Sequence, residues 1–221
     1  MRIEINIPST LSEITLQQYK RYLKIIENNA EGENAERFIQ LKMLEIFCNI
    51  PYSTGMQLRI KDINKATDHI ASLLNAKQDL VQEFVIGDTT FGFIPKLDDM
   101  TFGEYIDLDN SLSDWNNMHK AMAVLYRPIT KRIGKFYNVE AYRGDNYHEA
   151  MELTPLNAVF SSIVFFYRLG NDLSQLMTNY LQEDQQMSQE LQQGLQKSGV
   201  GINQFMHSLK EILEDLKISQ V

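Results

Sequence analysis

Cysteine occurs once in this 221-residue chain, at Cys48, so no internal disulfide can staple the fold. Its apolar surroundings, Met43-Leu44-Glu45-Ile46-Phe47, suit an inert buried thiol and are compatible with a reducing compartment. Proline is scarce at five residues and tryptophan occurs once, at Trp115. No run approaches the ~20 consecutive apolar residues that cross a bilayer as a helix. The most apolar stretch, 158–169, is short and carries Ser161, Ser162 and Arg168. The opening MRIEINIPS has no apolar signal-peptide core, so the expected location is the cytoplasm of the cell that makes the chain. Excess positive charge is also missing. A net charge of −8 argues against nucleic acid as a partner, because duplex binding requires a field that displaces phosphate counterions.

Catalytic and cofactor motifs are equally absent. The sequence contains no HExxH, no Cys/His zinc spacing, no GxSxG, no P-loop and no GxGxxG. Its four histidines, His69, His119, His148 and His207, are far apart, and His119 reads as a satisfied boundary residue. The expectation is therefore no catalytic, cofactor-binding or metal residues and no cofactor.

What remains is a pattern for a mainly α fold with minor β (α+β): a helical core around a long apolar helix, with one β-hairpin and short strands. Residues 2–7 alternate as a strand would. Thr15 is placed to cap a helix to Asn28, and a second helix spans 35–49. Asp62 is expected to cap a third over 63–75. Two β-rich runs, 81–86 and 89–94, flank Gly87-Asp88, the signature of a type II′ or I′ hairpin. Thr101-Phe102-Gly103-Glu104 spells a capping box for a helix to about Asn110. Asp114 then starts a helix through Tyr126, with Trp115, Met118, Met122 and Leu125 as its apolar stripe and Pro128 limiting it. A strand is expected over 133–142, bent at Gly134, followed by a turn over 143–146 and a short helix over 147–153. Thr154-Pro155 opens the longest helix, to about Gln185, with Gly170-Asn171 able to kink or divide it.

Three segments follow from composition: a globular helical domain over 1–181, a polar Gln/Ser/Gly-rich linker or helix extension over 182–201, and an amphipathic C-terminal helix over 202–221. The last carries Ile202, Phe205, Met206, Leu209, Ile212, Leu213 and Leu216 at helical spacing. It is able to fold back on its own domain or to dock elsewhere. Truncation after Gln185 is expected to leave the body folded.

Two charged groups invite chemistry. Asp98, Asp99, Glu104, Asp107, Asp109 and Asp114 form an acidic run without a lysine or arginine among them. Hard cations need several converging oxygens, so a metal-dependent enzyme using residues 98–114 is one alternative. However, the calcium-loop start at Asp107 lacks its glycine and closing acid, and helix capping explains many of the positions. Directly after it come Lys120, Arg127, Lys131, Arg132, Lys135 and Arg143, opposed by Glu140 and interleaved with Tyr126, Phe136, Tyr137 and Tyr142. A protected strand edge, a protein interface and a nucleic-acid stacking surface all fit that mixture, in that order of preference.

The segments IEINIPSTLSEITLQQYKRYLKI, MTFGEYIDLD, AMAVLYRPI and FFYRLGNDL give the chain, over roughly residues 1–180, a resemblance to small assembly or structural proteins of tailed bacteriophages. It resembles in particular tail-assembly-chaperone-like proteins of phages infecting Bacteroidetes-type hosts. The resemblance implies a non-enzymatic tail or baseplate assembly protein that binds other phage structural proteins: tape-measure, tail tube or baseplate. A permanent virion component, such as a head–tail connector or tail ring, is the alternative within that class. It implies host cytoplasm during assembly, or the virion if the protein is a structural component, with self-association left open and no membrane. The expected partner contacts are Trp115, Tyr126, Arg127, Ile202, Phe205, Leu209, Ile212 and Leu216.

Overall fold

A computed structural model describes residues 6–29, 34–144, 146–183, 206–207 and 209–213. A mainly helical body carries one four-stranded antiparallel sheet, an α+β fold. Among the described residues no helix is long and apolar enough to cross a membrane. The strand expected at 2–7 falls on residues 2–5, outside the description, and on residues 6 and 7, which are not in a strand.

Helix α1 (Leu16–Asn29) begins as its sequence dictates. Thr15 Oγ1 accepts from the Gln18 amide at 3.2 Å, while Gln18 Oε1 accepts from the Thr15 amide at 2.9 Å. Reciprocal bonds of this kind satisfy donors that a helix start leaves open. Helix α2 (Ala35–Phe47) packs on α1 and ends two residues before Asn49, whose φ of 53° turns the chain into left-handed geometry. One turn, α3 (Tyr52–Gly55), follows Pro51.

Helix α4 (Ile60–Leu74) starts earlier than the sequence suggests. Asp62 lies inside its first turn and binds Arg59 Nε at 2.7 Å instead of capping the helix. An acid there still meets the positive end of the helix dipole.

Strands β1 (Glu83–Ile86) and β2 (Thr89–Phe93) form the expected hairpin. Gly87, at φ 56°, is the first turn residue, and Asp88 is not among the positive-φ residues. Positive φ at the first position alone is the type II′ pattern. Helix α5 (Phe102–Leu112) carries the complete capping box: the Glu104 amide donates to Thr101 Oγ1 and the Thr101 amide to Glu104 Oε2.

Beyond α5 the structure corrects the sequence reading. Asp114 does not cap a helix through Tyr126. Its carboxylate accepts from the Asn116 amide and from Asn117 Nδ2, forming a turn that contains Trp115. Helix α6 is then only Met118–Leu125. Tyr126 opens strand β3 (Tyr126–Ile133), which pairs with β2 and with β4 (Phe136–Val139). Gly134, at φ 61°, is therefore the turn between two strands and not a bend within one.

Helix α7 (His148–Met151) and the 28-residue α8 (Leu156–Glu183) complete the described body. The N-terminal ends of α1 and α8 are tied by backbone bonds, Leu16 N to Thr154 O at 2.9 Å and Leu156 N to Ile14 O at 2.8 Å. The core gathers Tyr19, Leu44, Leu112, Met122, Tyr126, Phe160 and Ile163 in one cluster.

Two serines sit in the buried half of α8 without breaking it. Ser161 Oγ accepts from the Val81 amide at 3.2 Å, and the Tyr126 hydroxyl donates to Val81 O at 2.7 Å beside Ser162 Oγ. Both serines and the Tyr126 hydroxyl thus have partners.

Of the C-terminal stripe, residues 206–207 and 209–213 are helical. Leu209, Ile212 and Leu213 belong to the body's core cluster, and Met206 lies against Gly170 of α8. Gly170 leaves no room for a Cβ beneath the Met206 sulfur, and α8 continues through Gly170-Asn171 without a break.

Candidate docking surface

Several side chains chosen from sequence as partner contacts lie inside the fold. Tyr126 is fully buried, tilted against Phe84 and edge-on to Phe93. Arg127 binds Glu104 at 2.9 Å, with side chains only 13% and 5% exposed. Trp115 is half-buried edge-on against Tyr19 and near Phe160, where it joins α1 to α8. Leu209 and Ile212 are buried; Ile202, Phe205 and Leu216 lie outside the described residues. An aromatic or arginine at the end of an apolar stripe satisfies the core as readily as an interface, and here the core takes them.

Exposed apolar surface gathers elsewhere, on α5 and the distal half of α8. The inner face of α5 buries Glu104, Leu108, Ser111 and Leu112. Its outer face presents Phe102, Tyr105 and Ile106, the first 77% exposed. These positions, i, i+3 and i+4, form a stripe. On α8, Leu169, Leu173 and Leu176 repeat the pattern, with Leu173 and Leu176 exposed.

Between the two helices runs an apolar groove of about 180 Å³, floored by Leu108, Phe166 and Gly170 and walled by Met100, Tyr105 and Leu173. Asp109 reaches its edge; Asp172 is exposed on α8, and Asp98 and Asp99 are exposed in the turn over 97–99 that precedes α5. Burial first, and then the Asp109 charge, raises the Tyr105 pKa. The outer stripe is legible in the letters Phe102, Tyr105 and Ile106, but the inner stripe of the same helix competes with it.

The acidic run divides between two sides of α5. Asp109 borders the apolar groove, whereas Asp107 lines a polar cleft of about 320 Å³ with Asn110, Asn117, Lys120, Tyr142 and His148. The Tyr142 hydroxyl donates to Asp107 Oδ2 at 2.8 Å. Among the described residues no group of three or more His, Cys, Asp or Glu side chains is arranged to hold a metal ion.

Sequence separation hides a further cluster next to that cleft. Lys20 Nζ lies 2.6 Å from Glu152 Oε1, and His119 Nδ1 lies 3.4 Å from the same oxygen. The His119 and His148 rings stand edge to face at 6.1 Å. Burial, followed by the Lys20 charge, lowers the His119 pKa. His119 is thus a part-buried residue beside an ion pair.

The basic group also separates. Arg132 pairs with Glu83 and lies over the Tyr137 ring. Tyr137 crosses Gly92, where an added Cβ would meet the ring, and its hydroxyl lies within hydrogen-bond reach of Gln82 O and Phe93 O. Lys131 and Lys135 remain exposed at the β3–β4 tip. Comparison of the chain with protein-family models, curated proteins and solved structures finds no match.

Proposed function

We propose that this chain acts by binding polypeptide, as a tail or baseplate assembly protein of a tailed bacteriophage with a chaperone-like role. The observation that carries the binding role is the apolar groove between α5 and α8, lined in part by the exposed Tyr105 and Leu173, with Phe102 and Leu176 exposed on the same two helices. Contiguous exposed apolar surface rimmed by polar groups marks interaction sites. The phage setting rests on the sequence resemblance alone.

In this role the groove shelters apolar side chains of a tape-measure or tail-tube segment until assembly takes them over. Its acidic border selects segments with flanking lysine or arginine, because complementary charge guides approach and register. Co-elution of the purified chain with a tape-measure or tube fragment tests this reading. A chaperone is then missing from finished particles.

A second reading is a ring or connector subunit that stays in the virion. It is favoured by the basic, apolar β3–β4 tip, whose charge is opposite to that of the groove's border. Stoichiometric recovery from purified particles would select it.

A further inference from the structure

The groove has a complement on the same chain. At the β3–β4 turn, Ile133 is 65% and Phe136 82% exposed, flanking Gly134-Lys135. Lys131 and Lys135 are exposed beside them. This tip is apolar and basic; the groove is apolar and bordered by Asp109, with Asp172 exposed on α8 and with Asp98 and Asp99 in the turn that carries the lining residue Leu97, where Asp99 pairs with Lys96 at 3.8 Å.

We infer that the β3–β4 tip of one copy seats in the α5–α8 groove of a second copy, so that the chain associates head to tail. This rests on reading the groove as a polypeptide docking surface. Size is the first argument. At about 180 Å³ the groove lies below the ~300–1,000 Å³ of typical small-molecule pockets. It suits a single projecting side chain, and Phe136 is the most exposed large apolar residue described.

Charge is the second argument. Copies that each carry −8 repel one another in most orientations. Lys131 and Lys135 facing Asp109 make one orientation attractive, even though Lys96 offsets Asp99 in the neighbouring turn. The two surfaces do not cover each other within one copy, since Tyr105 and Leu173 of the groove and Phe136 of the tip are all open to solvent. Because the tip and the groove are different surfaces, the contact is heterologous. Such contacts close into rings or extend as filaments.

Sedimentation velocity on the full chain tests this, with two variants whose substitutions fall on exposed side chains and whose folding is checked by circular dichroism. One variant, K135E/F136E, alters the tip; the other, Y105R/L173R, alters the groove. The wild type is expected to form larger species as concentration rises. Those species should dissociate as salt is raised from about 0.1 to about 1 M, which shortens the screening length from ~10 to ~3 Å. Each variant alone should remain monomeric.

Mixed one to one, the variants should give a dimer and nothing larger, because an intact tip then meets an intact groove once. A monomeric wild type, or a mixture that stays monomeric, overturns the inference. If the wild type stays monomeric while Y105R/L173R loses binding to a tape-measure or tube fragment, self-association falls and the docking reading stands. If Y105R/L173R binds such a fragment as the wild type does, the docking reading falls as well.

Discussion

Arg127 at the start of β3 and Glu104 in the first turn of α5 form an ion pair of 2.9 Å that is almost wholly shielded from water. The same carboxylate accepts from the Thr101 amide at 2.6 Å. One side chain therefore starts a helix and ties it to the sheet. That helix is also one wall of the groove, so the geometry of the docking surface depends on a contact beneath it.

Breaking this pair from one side should be costly. Removing one partner of a buried pair strands the other charge, typically at ~3–5 kcal/mol. Urea unfolding of E104A and R127A should show losses toward that range. The double variant E104A/R127A should lose less than the sum of the two, because no charge is left stranded. Additive losses would mean that the two side chains are not coupled.

Stability should fall at both ends of the pH scale. Burial pushes Tyr22 up to about 12 and raises Tyr126 further. An unfolded tyrosine ionises near ~10, so the stability these groups supply is complete below that pH and is lost as pH rises toward their folded values. His119 has the opposite sign. Its folded pKa is lowered, so its contribution is present above the unfolded value of ~6.5 and is lost as pH falls through the folded one. Thermal melts across pH should trace both limbs. Y126F should flatten the alkaline limb and cost about 1 kcal/mol at neutral pH, since Val81 O loses its donor. An unchanged alkaline limb in Y126F would remove Tyr126 from the explanation.

Cys48 should react with a thiol reagent only when the fold opens. Burial raises its pKa to about 11, which leaves little thiolate at neutral pH. Labelling should therefore be slow in buffer and rapid in denaturing urea. Fast labelling of the native chain would contradict the packing around α2.

Deleting residues 186–221 should destabilise the body as well as shorten the chain. Leu209, Ile212 and Leu213 are buried in the shared core, and fully burying one such side chain supplies ~1.5–3 kcal/mol. Differential scanning calorimetry should show a clear drop in Tm. Gly170→Val, which forces Met206 aside, should lower Tm in the same direction. A truncated chain with unchanged Tm would show that the stripe contributes no stability.

The elements that were legible in the sequence have local, short-range signals. Gly87-Asp88 between β-rich runs and Thr101 with Glu104 each encode a hydrogen-bonding geometry within four residues. The region from Trp115 to Val139 was harder to read. Tyr126 continues the helical spacing of Met118, Met122 and Leu125, and Pro128 looks like a helix stop. Pairing with β2, more than thirty residues earlier, makes Tyr126 a strand residue and accommodates the proline opposite Phe91. The Lys20–Glu152–His119 cluster joins positions over a hundred residues apart and leaves no local trace. Tyr126 and Arg127, one aromatic and one charged, carry the residue types that interfaces favour. Their burial depends on Val81, Ser162 and Glu104, which only the tertiary fold brings near.

The most direct test of the docking surface is calorimetric titration of a tape-measure or tail-tube fragment into the wild-type chain and into Y105R/L173R. Binding to the wild type, weakened at least about tenfold in the variant by a loss of ~1.4 kcal/mol or more, is the expected result. Equal affinity for both chains, or no binding to either, would contradict the groove's assigned role.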